Sequence, residues 1–149
     1  MIQVLDEIDK SLSEKKIYLE GLFEITIDKI FVSILSKEEF SKLDKSSWVV
    51  GFAFPRENII FVVDQKSSER SYDEWLKVII HEMVHLFYFK KFKTSQPKWF
   101  FEGLACYLAD QKKKESEIEL KDLIKYFPDD INDTEIYNKG YNIIKKLLK

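Results

Sequence analysis

Val78-Ile79-Ile80-His81-Glu82-Met83-Val84-His85-Leu86-Phe87 sets two histidines four positions apart inside an apolar run. The run reads as a buried helix. On a helix, positions i and i+4 share a face, so the imidazoles of His81 and His85 converge on one point, with Glu82 one residue along. The H-E-x-x-H spacing supplies a zinc ion with two nitrogen ligands and places a carboxylate where it can act as general base on a metal-activated water. The same pattern arises by chance, and a helical histidine is more often a hydrogen-bonded structural residue than a ligand. Two observations weigh against that reading. The chain has no other histidine, and two imidazoles and a carboxylate in an apolar stretch cost free energy unless they are paired. The sequence therefore predicts a zinc-dependent hydrolase.

Working outward, Ser71 with Glu74 three residues on forms a capping box that opens this helix. Before it, Trp48 to Phe54, ended by Pro55, and Asn58 to Val63, with its Ile59-Ile60-Phe61-Val62-Val63 run, read as strands. Arg56-Glu57-Asn58 is then the turn of a hairpin. Residues 30 to 35 read as a further strand, and a capping box of Ser36 and Glu39 starts a short helix around Phe40 and Leu43. Ile2, Leu5, Ile8 and Leu12 fall at helical spacing and predict an amphipathic opening helix that stops at Gly21. After the histidines, Ser95-Gln96-Pro97 begins a helix through Trp99, Phe100, Leu104 and Leu108, since Pro is favoured in a first helical turn. Lys112 to Glu119 is a charged connection. Ile136, Gly140, Tyr141, Ile144 and Leu148 trace one face of a terminal helix.

At 149 residues the chain reads as one domain, residues 1–149, able to bury about 68 to 70 % of its unfolded surface. It is 45% hydrophobic with only 4 Gly and 3 Pro, which argues against long disordered linkers. Its charges nearly cancel, to a net −2, giving no case for a nucleic-acid or acidic-membrane partner. Lys far outnumbers Arg, so bidentate phosphate recognition has few side chains to use. The single cysteine, Cys106, excludes an internal disulfide framework and suits a reducing compartment. The first residues carry acids where a signal peptide needs basic ones, and no apolar run reaches the roughly 20 residues of a membrane span, so a cytoplasmic location is expected.

A hydrolytic zinc keeps three protein ligands and one open position. With no third histidine, the last ligand should be a carboxylate. Glu102 is the candidate, a lone acid in Pro97-Lys98-Trp99-Phe100-Phe101-Glu102-Gly103-Leu104-Ala105 that needs a partner if buried. A surface Glu on an amphipathic helix is the competing reading, weakened by the aromatic neighbours.

His81-Glu82-x-x-His85 followed by Trp99-Phe100-x-Glu102-Gly103-Leu104-Ala105 resembles the gluzincins, the thermolysin-like and aminopeptidase-like zinc peptidases. The resemblance is most specific over residues 75 to 108. It implies one Zn2+ on His81, His85 and Glu102, with Glu82 as general base. Val49-Val50-Gly51-Phe52-Ala53-Phe54 is similar to the sheet-edge strand that pairs with extended substrate in that family, which implies substrate binding by Gly51, Phe52 and Ala53. An ordinary hairpin strand is the alternative. Tyr137-Asn138-Lys139-Gly140 looks like the segment whose Tyr donates to the oxyanion, implying a catalytic Tyr137. A core tyrosine competes with that reading, and Tyr107, Tyr126 or Tyr141 would be the substitutes. In the thermolysin branch an Asp one turn after the ligand Glu orients a ligand histidine. Cys106 stands there instead, leaving the outer-shell acceptor unidentified.

Little chain follows Glu102, so the resemblance implies a minimal single-domain gluzincin with a shallow or self-occluded cleft. No segment matches the one that captures a substrate amino terminus, which favours an endopeptidase. The expectation is an α+β, zincin-like fold in which a small mixed β-sheet packs on the active-site helix, with a short helical C-terminal part. It acts on a peptide or protein substrate. Two rivals are a latent gluzincin serving as zymogen or peptide-binding module, and a metal-free interaction domain.

Overall fold

Strands form here where β-branched and aromatic residues alternate between two faces. Val32, Ile60 and Val62 are fully buried in the same core as the helices. On the opposite face the rings of Phe52, Phe54 and Phe61 lie together, and Phe40 meets Phe52. The computed structural model, which describes residues 1–43, 49–113 and 134–148, builds a four-stranded sheet from β1 (Ile2–Val4), β2 (Phe31–Leu35), β3 (Gly51–Phe54) and β4 (Ile59–Val63), ordered β1-β2-β4-β3. β2 and β4 run parallel, while β1 with β2 and β3 with β4 are antiparallel, so the sheet is mixed and β3 is an edge.

The helices are α1 (Lys10–Phe23), α2 (Lys37–Ser41), α3 (Gln65–Ser68), α4 (Tyr72–Phe92), α5 (Lys98–Leu108) and α6 (Thr134–Leu147). The fold is thus α+β. Local chemistry fixes the helix starts: Asp9 accepts from the Ser11 N–H, Ser36 and Glu39 make the full capping box, and Ser71 accepts from the Glu74 N–H. α4 is the spine. Val78, Ile79, Met83, Leu86 and Phe87 bury against the sheet and α1, each such side chain contributing about 1.5 to 3 kcal/mol of burial. The Trp75 indole N–H donates to the Val63 carbonyl at 2.7 Å, tying the start of α4 to the end of β4. Among the described residues no helix is long and apolar enough to cross a membrane.

The opening of the chain differs from expectation. Ile2 to Val4 form β1 and Leu5–Glu7 a 3-10 turn, so the helix starts only at Lys10 and runs past Gly21 to Phe23, where Glu24 adopts a left-handed conformation. Leu5 and Leu12 are buried but Ile2 is 66% exposed, so the apparent helical stripe spanned two different elements. Pro97 sits at the N-cap of α5 rather than inside its first turn. Leu148 is exposed, and Ile143 instead joins Ile136, Tyr141 and Ile144 in the buried face of α6. Trp48, Tyr126 and most of the charged connection lie outside the described residues.

Candidate metal centre

His81 and His85 project from α4, and Glu102 projects from α5. All three are buried, and their donor atoms lie within 4.8 Å of one another. Glu102 Oε1 is 3.0 Å from His81 Nε2 and 2.9 Å from His85 Nε2, accepting from both rings. Burial alone would raise the Glu102 carboxyl, but His85 and His81 outweigh it and hold the group well below the ordinary range, as a carboxylate. Two imidazoles and an ionised carboxylate gathered in this way could hold a metal ion.

Neighbouring side chains orient the two rings differently. His81 Nδ1 is 2.7 Å from Gln111 Oε1, an acceptor, so Nδ1 carries the proton and donates. Its Nε2 is thereby the nitrogen left for a metal. The Cys106 thiol lies 3.7 Å from the same Nδ1. Burial opposes a charge on His81, yet the contacts with Cys106 and Glu102 and the charge of Glu82 prevail and raise it well above its ordinary value. His85 has no such acceptor among the described residues: its Nδ1 is buried without a hydrogen-bond partner there. Its plane is set by Phe101, whose ring stacks on it at 3.8 Å between centroids and 7° between planes.

Glu82, one residue beyond His81, is buried and turned toward β3. Burial pushes its carboxyl above the ordinary value, with His85 and His81 opposing. β3 can lie this close because residue 51 is glycine: a Cβ there would sit 3.0 Å from Val78 Cγ1 and 3.4 Å from Glu82 Cγ. The Val63 N–H donates to the Val50 carbonyl, and the register pairs Phe52 with Phe61. Hydrogen-bonded pairs alternate along an antiparallel ladder, so Phe52 spends its main-chain groups on β4 while Gly51 and Ala53 point theirs out along an edge that pairs with no other strand among the described residues. Two recesses, of about 240 and about 470 Å³, meet at Gly51, His81, Glu82 and Tyr137 and make one groove along β3.

Tyr137 arrives from α6. Its ring lies 6.3 Å from that of His81. Burial first, then the carboxylates of Glu102 and Glu82, raise its phenol, which stays a proton donor. α6 reaches the site because two glycines let it touch α5: a Cβ on Gly103 would collide with the Gly140 backbone, and one on Gly140 with the Trp99 carbonyl.

The fold thus brings together His81, Glu82, His85, Glu102, Tyr137 and the Gly51–Ala53 edge. Within that edge, the Phe52 side chain faces away toward Phe61 and Phe40. Tyr107 and Tyr141 pair with each other, 6.0 Å between ring centroids, and line neither recess. Gln111 and Phe101 were not foreseen. Gln111 reaches His81 because the chain leaves α5 through a left-handed Asp110, a conformation no Gly or Asn announces. No protein-family model, curated protein or solved structure matches the chain.

Proposed function

We propose that this chain is a zinc-dependent peptidase with a zincin-like arrangement, and that it cuts within extended peptides. The observation that carries the proposal is the convergence of His81, His85 and Glu102 beside Glu82, under the free edge of β3. The donor set of two nitrogens and one carboxylate oxygen suits zinc, which keeps three protein ligands in hydrolytic sites. Bonds of about 2.0 to 2.2 Å in a tetrahedral site put ligand atoms roughly 3.3 to 3.5 Å apart. The His–Glu distances of 2.9 and 3.0 Å need to open by only a few tenths of an ångström. When bound, zinc would lower the pKa of a water and polarise the scissile carbonyl.

The remaining work falls to the chain. Gly51 and Ala53 offer outward N–H and carbonyl groups to which an extended peptide adds as a further strand. Glu82, with its raised carboxyl, accepts the proton of the attacking water and returns it to the leaving amine. Tyr137 donates to the oxygen on which charge develops. The groove continues past Glu82 in both directions, which suits a bond inside a chain.

A second reading, a peptide-binding module without turnover, draws support from Glu102 already accepting from both histidines, since this satisfies the cluster with no ion. Cleavage of unstructured casein by the zinc-loaded protein, abolished in Glu82→Gln with zinc retained, separates the two. Equal cleavage by that variant would reject the mechanism. No cleavage by either would leave the binding module.

A further inference from the structure

We infer that the smaller recess, at the Val50 end of the groove, takes a substrate carboxylate held by Arg70 and Lys113. The carboxylate belongs either to an acidic side chain beside the scissile bond or to the end of the peptide. This rests on the peptidase reading, and it names the substrate class for that site. The recess is lined by His81 and Glu82 together with Arg70, Gln111, Lys113 and Asn138. A residue next to the scissile bond is only about 3.8 Å along the peptide, so its side chain has this recess within reach.

The charges decide what fits. Arg70 and Lys113 are each half-buried, and among the described residues neither has a carboxylate within 4.0 Å. Lys77, by contrast, has three: Asp73, Glu74 and Asp110. The Arg70 main chain is fixed at the end of α3, its N–H donating to Ser68 Oγ and its carbonyl accepting from Gln65 Nε2. Lys113 Nζ lies 6.0 Å from the centre of the Tyr137 ring, on the rim of the site. Among the described residues Glu82 is the sole carboxylate lining the recess, and a zinc dication would balance it together with Glu102. Arg70 and Lys113, which line the same recess, would then remain, among the described residues, as positive charge without a carboxylate partner, a setting that favours an anion. The larger recess differs: Phe54, Phe89 and Phe101 line it, Lys98 lies over the Phe101 ring and donates to Ser95, and Arg56 is exposed on the hairpin turn.

The test is binding to the zinc-loaded Glu82→Gln protein, followed by fluorescence anisotropy. Three labelled alanine-rich peptides are compared: one with a central Glu and an amidated end, one with Gln and an amidated end, and one with Gln and a free carboxyl end. At least one carboxylate-bearing peptide should bind about tenfold tighter than the amidated Gln peptide, a charge-assisted contact. Which one does so identifies the source of the carboxylate. The preference should vanish when Arg70→Gln and Lys113→Gln are added. Equal affinity for all three peptides overturns the inference, and needs no further variant to do so. A preference that survives the two substitutions overturns it as well. Cleavage of the same peptides by the protein with Glu82 intact reports separately on the peptidase reading. Preference without cleavage keeps the recess and removes the peptidase; cleavage without preference does the reverse.

Discussion

Replacing Gly140 with Ala should push α6 off α5 and take Tyr137 out of position while leaving the metal ligands in place. The added Cβ would collide with the Trp99 carbonyl oxygen and sit 3.1 Å from Gly103 Cα. Ordinary carbon contacts lie near 3.5 to 4.0 Å, so the helices must part by roughly 1 Å. These are main-chain atoms, which have no rotamer to turn aside. Overpacking of this kind costs about 1 to 3 kcal/mol, against a gain of about 1 kcal/mol from replacing a helical glycine. With main-chain atoms on both sides of the contact the cost falls in the upper part of that range, about 2 to 3 kcal/mol, so the net loss is about 1 to 2 kcal/mol, which lowers Tm by roughly 2 to 8 °C for a chain of this length. Tyr137 is one turn before Gly140 on the same helix, and a 1 Å misplacement of a positioned group costs about 10²-fold in rate. Glu102 and both histidines are on α5 and α4, so zinc content should not change. Tyr137→Phe should lose roughly 10² to 10³ in turnover with little change in Tm. Thermal unfolding, metal analysis and peptide turnover on both variants check this. An unchanged Tm in Gly140→Ala would refute the close helix contact. A lowered Tm with full turnover would refute the role given to Tyr137.

Gln111→Ala should weaken zinc binding by about 10- to 100-fold, because His81 loses the acceptor that holds its Nδ1 proton, while Gln111→Glu should restore most of it. Competition with a chelator measures this, and equal affinity in parent and Gln111→Ala would show that the contact does not position the ring. A pH series gives an independent check. His81 is raised in the metal-free fold, so its contribution to stability is present below its ordinary value of 6.5 and is lost as pH rises through the raised value. Zinc binding needs the unprotonated Nε2, so the gain in Tm on adding zinc should grow with pH. A gain that is flat or falls with pH would contradict this linkage.

What could be read from the sequence was what depends on a regular period or a local cap. His81 and His85 share a face because α4 is long and unbroken, and Glu102 stood out as an acid in an apolar helix. Ser36 and Glu39 form the expected capping box. β1 was missed because Ile2, Leu5 and Ile8 match a helical spacing and three residues are too few to show strand alternation. Gln111 and Arg70 were missed for a different reason. Each owes its place to a residue with positive φ, Asp110 before Gln111 and Glu69 before Arg70, and neither turn carries the Gly or Asn that would announce it.

The most direct test is the zinc content of the protein purified without added metal, set beside that of His85→Ala. If His81, His85 and Glu102 form the three-ligand set, the parent carries about one zinc per chain and the variant far less. Parent protein that holds no zinc and takes up none on titration, or a variant with as much zinc as the parent, would contradict the metal centre on which the proposed chemistry depends.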